Sequence, residues 1–336
     1  MSPTQHSISV APMMDWTDRH CRFFHRLLAP SACLYTEMVT TGAVLHGDRE
    51  RLLGFNPCES PVALQLGGSE PDDLAQAARI GADYGYDELN LNVGCPSDRV
   101  QKGRFGACLM LEPERVRDGL AAMCNVVDIP VTVKTRIGVD EHDSEAFLHQ
   151  FVETVTESGI ETVIVHARKA WLSGLSPKQN REVPPLDYER VHRLKQQFDS
   201  LRVVLNGGIT DRSAALELLQ RFDGIMIGRA AYQNPWLLAE LHNELEPGSA
   251  PVNRAEVVEK MAVYVRGHLE RGGKLQHVAR HMLGLFHSQP GGRGWRQQLS
   301  QHMHRPDANA QLLLDSIPRP ALSPVTKPLA GLRSGA

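Results

Sequence analysis

A cysteine stands at the end of a short predicted strand in the stretch 88–97, which reads ELNLNVGCPS. Apolar residues alternate with asparagines over residues 89–93, the period-2 pattern of a strand, and Gly94 ends it. Cys95 follows at once, so its thiol is expected on a loop at the carboxyl end of the strand, where parallel α/β proteins build their active sites. The position alone is equally typical of a catalytic thiol and of a small buried apolar side chain.

A lysine and a histidine follow two later apolar runs in the same way. Lys134 comes after residues 131–133, and His166 comes after residues 162–165. Burying an unpaired ammonium is costly, so Lys134 is expected to form a Schiff base, as in aldolases, or to face an anionic cofactor ring. His166 taken alone is more typical of a hydrogen-bonded core histidine.

Glycines follow the last two apolar runs of this kind. Gly207 and Gly208 come after Asn206, and Gly228 precedes Arg229. Without Cβ atoms the backbone N–H groups can approach an anion closely, a following helix adds its positive end, and the arginine adds a charge-assisted hydrogen bond. Either corner could be only a tight turn, but the two together predict a phosphate-bearing ligand.

Eight short apolar runs, each followed by a polar or glycine-bearing corner, supply the elements that would position these residues. They are residues 8–11, 33–35, 62–66, 89–93, 131–133, 162–165, 203–205 and 224–227. Helical patterns fill most of the intervals, so strand and helix alternate as in an α/β protein with a (β/α)8 TIM barrel. A doubly wound sheet is the alternative, but no G-x-G-x-x-G motif follows the first run.

One cofactor suits the mouth of such a barrel. Lys134 and His166 would stabilise the anionic reduced ring of flavin mononucleotide (FMN), and Gln65 would hydrogen-bond its pyrimidine edge. The glycine corners would then hold the phosphate of the same molecule.

The composition is that of an ordinary soluble globular protein, with 42% hydrophobic and 22% charged residues in a chain of 336. We expect neither a membrane span nor a secretory signal, because no apolar run is long enough and the N-terminus lacks a basic start. Six cysteines without a C-x-x-C pair favour reduced thiols in the cytoplasm and no metal site.

The barrel pattern ends near residue 245, and a Pro- and Gly-containing linker leads to helical patterns over residues 256–269, 277–286 and 295–303, with a turn at 290–294. Between Arg266 and Arg305 there are seven Lys and Arg residues against one acid, in a chain whose net charge is −3. Such a basic unit is expected to contact a phosphate backbone, unless it is only a solvated helix face.

The expected domains are a catalytic barrel over 1–245, a helical RNA-binding domain over 252–316 and a flexible tail over 317–336.

Eight longer motifs extend from the first strand to the basic helices. They are APMMDWTDRHCRFFHRLL (11–28), LQLGG (64–68), LNLNVGCPS (89–97), VTVKTRIGVD (131–140), VHARKAWLSGLSPKQNREVPPL (165–186), LNGGI (205–209), GIMIGRAAYQNPW (224–236) and HMLGLFHSQPGGRGWRQQLS (281–300). On these motifs the chain resembles the tRNA-dihydrouridine synthase family, and most closely its A branch.

The resemblance implies an FMN enzyme, an oxidoreductase that uses NADPH to reduce the C5–C6 double bond of uridine in the tRNA D loop to 5,6-dihydrouridine. For the A branch the implied targets are positions 20 and 20a. The implied chemistry is hydride transfer from flavin N5 to uracil C6 and proton transfer from Cys95 to C5, and a free thiol near neutral pH is mostly protonated, as an acid must be. The uracil must leave the folded tRNA to reach the barrel, so recognition is expected to rest on RNA shape and backbone.

The resemblance also implies the roles of individual residues. FMN would be held by Pro12, Met13, Met14, Gln65, Lys134, His166, Asn206, Gly207, Gly208, Gly228 and Arg229. The tRNA would contact Lys178, Arg181, Arg293 and Arg296, with Asn92 near the uracil. The implied partner is tRNA, with no membrane, no metal ion and no obligatory protein partner.

Three other functions agree with parts of the pattern. A flavin barrel acting on a free pyrimidine explains Cys95 but gives the basic helices no role. A Schiff-base aldolase would use Lys134 and would be a colourless protein. A catalytically silent RNA-binding chaperone would bind tRNA equally well with Cys95 replaced.

Overall fold

The computed structural model describes residues 6–319, apart from the side chain of Arg99. The predicted tail therefore lies almost wholly outside the described residues. The chain divides into two compact units, the first ending at Ala250 and the second beginning at Pro251. Within residues 6–319, no helix combines the length and the apolar character needed to cross a membrane.

The first unit is built on parallel strands. They are β1 (Ile8–Val10), β2 (Cys33–Tyr35), β3 (Val39–Thr40), β4 (Val62–Gly67), β5 (Glu88–Asn92), β6 (Val131–Arg136), β7 (Thr162–His166), β8 (Arg202–Asn206) and β9 (Gly224–Ile227). All except β3 close into a barrel, because β1 pairs with both β2 and β9, and β2 pairs with β4. The predicted (β/α)8 barrel is confirmed. The two-residue β3, which pairs with the end of β4, is too short to give a period-2 pattern and was not predicted.

Helices surround this barrel. They are α1 (Arg19–Leu28), α2 (Thr41–His46), α3 (Arg49–Leu53), α4 (Pro71–Asp83), α5 (Asp98–Lys102), α6 (Pro113–Cys124), α7 (Glu145–Thr156), α8 (Tyr188–Gln197), α9 (Arg212–Leu219), α10 (Arg229–Gln233) and α11 (Trp236–Leu245). Side-chain caps fix several starts: Asp18 accepts from the backbone at the start of α1, and Asp211 does so at α9. The helices bury the apolar side of the strands and leave the corners after the strands free for a site.

The barrel interior is apolar over much of its circumference. A buried cluster drawn from several strands fills it: Ala11, Cys33, Tyr35, Ala63, Ile164, Val204 and Met226. Residues paired across neighbouring strands share a face, and in this register Ile164 lies level with Lys134 on β6 and with Val204 on β8. Lys134 and the last residues of the strands therefore line the interior towards its carboxyl end.

The second unit is helical. Its helices are α12 (Arg254–Glu270), α13 (Leu275–Met282), α14 (Gly292–His302) and α15 (Gln311–Asp315). The predicted turn at 290–294 is wrong in its second half, because α14 already begins at Gly292, directly after Gly291 adopts a left-handed conformation with φ of 82°. Burial of Trp295, whose Nε1 donates to the Met282 carbonyl at 3.0 Å, outweighs the low helix propensity of the glycines.

Candidate active site

The corners after the strands surround a cavity of about 520 Å³. Its lining includes every residue predicted as the acid or as an FMN ligand: Pro12, Met13, Met14, Gln65, Cys95, Lys134, His166, Asn206, Gly207, Gly208, Gly228 and Arg229. Asn92 and Arg181 line it as well. Residues from seven separate corners of the sequence thus meet at one place.

The Cys95 loop is held by the asparagine that ends β5. The Asn92 Oδ1 atom accepts the backbone N–H of Cys95 at 3.0 Å and that of Gly94 at 3.2 Å. The thiol is half-exposed at the cavity, with its Sγ 3.5 Å from the Ser97 hydroxyl. A strand residue therefore fixes the backbone from which the thiol projects into the cavity.

Lys134 is a base of the cavity with a lowered pKa. Its Nζ donates to the Asn206 Oδ1 atom at 2.9 Å, and the Asn206 amide in turn donates to the Met226 carbonyl at 2.7 Å. Desolvation, helped by the neighbouring Arg136, lowers the pKa of Lys134 to about 7. The partner of the ammonium is thus a neutral amide oxygen, and an anion in the cavity would favour the charged form.

Arg136 is a buried cation at the side of the cavity, at the mouth where the sequence predicts it but without a predicted role. Its guanidinium donates to the carbonyls of Gly94, Lys169 and Asn180 at 2.8, 3.1 and 3.0 Å. Desolvation lowers its pKa to about 10, and interaction with Cys95 opposes that change. Arg136, at the end of β6, therefore joins the loops after β5 and β7 and places positive charge beside the thiol.

His166 is a neutral imidazole at neutral pH. Desolvation, together with the positive charges of Arg136 and Lys134, lowers its pKa well below the ordinary value. Its Nε2 atom lies 3.2 Å from the position that a Cβ atom on Gly207 would occupy. The ring can therefore donate or accept a hydrogen bond beside the glycine corner, but it carries no charge there.

The corner after β8 requires its two glycines. Gly207 and Gly208 have φ of 111° and 70°, the left-handed region that side chains disfavour. A Cβ atom on Gly208 would lie 2.3 Å from Leu186 Cδ1 and 2.8 Å from the Tyr188 hydroxyl. Tyr188 also donates to the Gly207 carbonyl at 2.7 Å, which holds the turn in place. This corner exposes backbone to the cavity, as the phosphate prediction requires.

The second corner differs from the first in its helix. Gly228 is the N-cap residue of α10, and Arg229 begins that helix, whereas α9 begins only at Arg212 with its N-terminus capped by Asp211. A helix therefore follows both corners, directly after β9 and only from Arg212 after β8. Arg229 pairs with the Glu182 carboxylate and donates to a backbone carbonyl of the same loop.

Asn180 organises the loop after β7 and was missed as a site residue. This fully buried side chain accepts the N–H of Trp171 at 2.7 Å and donates to the carbonyls of Trp171 and Leu175 at 2.8 and 3.2 Å. Its only sequence signal is its place at the head of NREVPPL. The loop that it holds carries Arg181 to the cavity, while Lys178 lies exposed beyond the lining.

The other two predicted RNA contacts lie in the second unit. Arg293 and Arg296 stand one helical turn apart on α14, and both are exposed. Trp295 and Leu299 of the same helix are buried. Of the seven basic residues between positions 266 and 305, all but Arg280 are exposed.

The cavity fits an anionic cofactor that carries a phosphate. Three of its cations face it, Lys134 and Arg136 from β6 and Arg181 from the loop after β7. Desolvation lowers the pKa of each of them, and interaction with Cys95 opposes that change. The glycine corner after β8 adds backbone that faces the cavity, and its glycines cannot be replaced by residues with a Cβ atom without a clash. FMN combines the phosphate and the ring that such residues would accommodate.

Comparison with known proteins identifies the family. The family model described as "Dihydrouridine synthase (Dus)" matches residues 9–320. Curated tRNA-dihydrouridine(20/20a) synthases from Vibrio parahaemolyticus and Xanthomonas campestris are 57% and 58% identical to the chain, covering 92% and 91% of it and 95% and 91% of their own lengths. A solved structure of a 2-naphthoyl-CoA reductase complex has a TM-score of 0.55 at 10% identity, over 72% of this chain and 50% of its own, which supports the fold. The chain belongs to the dihydrouridine synthase family, a family of oxidoreductases.

Proposed function

We propose that the chain reduces the C5–C6 double bond of uridine at positions 20 and 20a of tRNA, with FMN as its cofactor and NADPH as the reductant. The observation that carries this proposal is the cavity itself, where the Cys95 thiol lies among residues that suit FMN. The names of relatives more than half identical to the chain support the substrate and its positions. The proposal includes a cytoplasmic location, which a tRNA substrate supports.

Bound FMN would supply the hydride that uracil C6 receives. The protein must then deliver a proton to C5, and Cys95 is the cavity residue with a transferable proton on a loop oriented by Asn92. Loss of that proton leaves negative charge on sulphur. Arg136 and Arg181 interact electrostatically with this sulphur and would stabilise the thiolate.

The proposed cofactor would restore the charge on Lys134. The anionic reduced ring would favour its ammonium, and the Asn206 hydrogen bond would hold the ammonium in place. His166, being neutral, would contribute a hydrogen bond rather than a charge. Gly207 and Gly208 would offer backbone N–H groups to the phosphate.

The proposed tRNA contacts are exposed cations in both units. Lys178 and Arg181 extend from the loop that Asn180 holds. Arg293 and Arg296 on α14 would bind phosphates of the RNA backbone, which gives affinity without reading sequence. Because the cavity opens at the barrel mouth, the target uracil must be extruded from the tRNA to reach Cys95.

Replacing the thiol tests the proposal. Cys95→Ala should bind FMN and consume NADPH as the wild type does, while dihydrouridine formation in unmodified tRNA falls about 100-fold or more, the usual contribution of a positioned acid. Cys58→Ala, at an exposed cysteine, is the matched control and should retain full activity. Wild-type rates in Cys95→Ala would refute the role of the thiol as the acid.

The alternative of a Schiff-base aldolase that uses Lys134 disagrees with a family of oxidoreductases. Borohydride treatment in the presence of a carbonyl substrate should therefore trap no substrate on Lys134, and the purified protein should carry FMN.

A further inference from the structure

A column of polar side chains crosses the barrel from its mouth to its opposite end. Glu88, Asn90 and Asn92 alternate with leucines on β5, so they share the face that looks into the barrel. At a rise of about 3.3 Å per residue, the column spans roughly 13 Å. Gln65 on β4 and Thr132 on β6 pair with Asn90 and lie at its level.

This column is unusual for the interior of a barrel, which branched apolar residues normally fill. Gln65, Asn90 and Thr132 are each at most 2% exposed. Burying an amide costs free energy, and its hydrogen bonds only balance that cost. Apolar side chains in the same positions would therefore stabilise the fold more than this column does. A role in the active site at the mouth of the barrel would explain why these polar groups are present.

The hydrogen bonds of the column all run in one direction. The Asn92 Nδ2 atom donates to Gln65 Oε1 at 2.9 Å, and Gln65 Nε2 donates to Asn90 Oδ1 at 2.8 Å. Asn90 Nδ2 donates to Thr132 Oγ1 at 2.8 Å, and that hydroxyl donates to Glu88 Oε1 at 2.6 Å. Each donor therefore points away from the cavity mouth and towards Glu88.

Both ends of the chain of hydrogen bonds impose this direction. At the mouth, Asn92 Oδ1 accepts from the backbone N–H groups of Cys95 and the residue before it, and backbone N–H groups can only donate. Asn92 must therefore turn its NH2 group towards Gln65. At the far end the Glu88 carboxylate accepts from Thr132 and also from the Tyr35 hydroxyl. An acceptor at this end is what allows every amide between to keep one orientation.

We propose that Thr132 and Glu88 are positioning residues that act on the cofactor through Gln65. They complete the chain of hydrogen bonds that fixes which side of the Gln65 amide carries its N–H groups. Each amide nitrogen has two hydrogens, the chain uses one, and Gln65 lines the cavity. The second hydrogen is then a donor of fixed orientation for the carbonyl-bearing edge of FMN. A reversed amide would instead turn its own carbonyl oxygen towards the carbonyl oxygens of that edge. This inference rests on the proposed function for the identity of the cofactor.

Two substitutions at Thr132 separate the hydroxyl from the shape of the side chain. Thr132→Val removes the link to Glu88 and leaves the Asn90 amide without its acceptor, whereas Thr132→Ser keeps the hydroxyl. We expect an FMN dissociation constant about tenfold higher in Thr132→Val, the loss of one oriented hydrogen bond, and within about twofold of wild type in Thr132→Ser. Glu88→Leu removes the 2.6 Å acceptor of the Thr132 hydroxyl and leaves it only the Leu89 carbonyl at 3.5 Å. This variant should resemble Thr132→Val and serves if that variant fails to fold.

A double-mutant cycle distinguishes positioning from general loss of structure. If Thr132 acts through Gln65, Thr132→Val should change FMN affinity in the wild type and have no further effect in the Gln65→Leu background. Equal effects in both backgrounds, or wild-type affinity in Thr132→Val, would overturn the inference.

A cofactor-free readout separates this inference from the proposed function. In the ¹H–¹⁵N spectrum of the apoprotein, the two side-chain NH2 signals of Gln65, identified by their loss in Gln65→Leu, should shift in Thr132→Val and keep their positions in Thr132→Ser. Unchanged signals in Thr132→Val would refute the chain. A wild type that binds no FMN would refute the proposed cofactor, while the expected NMR shifts would still support the chain.

Discussion

Lys134 should take up a proton when the bound flavin is reduced above pH 7. Desolvation and Arg136 hold its pKa at about 7, so at pH 8 roughly nine in ten molecules carry a neutral lysine. An anionic reduced ring beside it favours the ammonium and raises that pKa again. Below pH 7 the lysine is already charged, so the uptake occurs only on the alkaline side.

The slope of the midpoint potential with pH measures this proton. Reduction to an anionic ring takes one proton for two electrons, which lowers the potential by about 30 mV per pH unit. With a second proton on Lys134 the slope becomes about 59 mV per pH unit. In the wild type the slope should therefore steepen as the pH rises through about 7.

Redox titration of the holoenzyme between about pH 6 and 9 gives both slopes, and Lys134→Met is the control that lacks the titrating group. Above pH 7 the wild type should follow the steeper slope and Lys134→Met the shallower one. The same slope in both proteins above pH 7 would refute the assignment of Lys134 as the residue that compensates the charge of the reduced ring.

Three further predictions concern the glycine corner, the loop after β7 and the basic helix. Gly208→Ala, whose Cβ atom would lie 2.3 Å from a leucine methyl at φ of 70°, should lower FMN affinity more than about tenfold in a flavin-content assay, whereas Gly248→Ala, with open space around it, should not. Asn180→Ala should destabilise its loop by about 1–3 kcal/mol, seen as faster limited proteolysis and a higher KM for tRNA at unchanged FMN content; an unchanged KM would contradict its positioning role. Arg293→Ala combined with Arg296→Ala should weaken tRNA binding and lower the slope of log affinity against log salt by about 1–2, and an unchanged slope would exclude phosphate contacts there.

The barrel and the members of its site could be predicted because both follow local rules. Period-2 apolar runs at regular spacing define strands, and the residue after each strand of a parallel barrel must face the same mouth. Lys134 and His166 lie near the ends of β6 and β7, Gly207 directly follows β8, and all three line the cavity with Cys95.

The residues that hold the site together could not be predicted in the same way. Arg136 acts through backbone carbonyls of distant loops and Asn180 through the backbone of its own loop, and hydrogen bonds to backbone leave no pattern of residue types. Glu88 has no distinguishing signal in the sequence beyond its place at the start of a strand. Its hydrogen bond to Thr132 follows only from the register, which pairs Asn90 of the same strand with Thr132. The start of α14 was misplaced because the burial of Trp295, a tertiary effect, outweighs the local preference of glycine.

The visible absorption of the purified protein under anaerobic conditions is the most direct test of the proposed activity. A yellow protein should bleach on addition of NADPH and regain its colour when unmodified tRNA is added, with one dihydrouridine formed per flavin reoxidised. A protein that is colourless and cannot be loaded with FMN would contradict the assignment of Lys134, Arg229 and the glycine corners to this cofactor. A bleached protein that unmodified tRNA fails to reoxidise would contradict the assignment of its substrate.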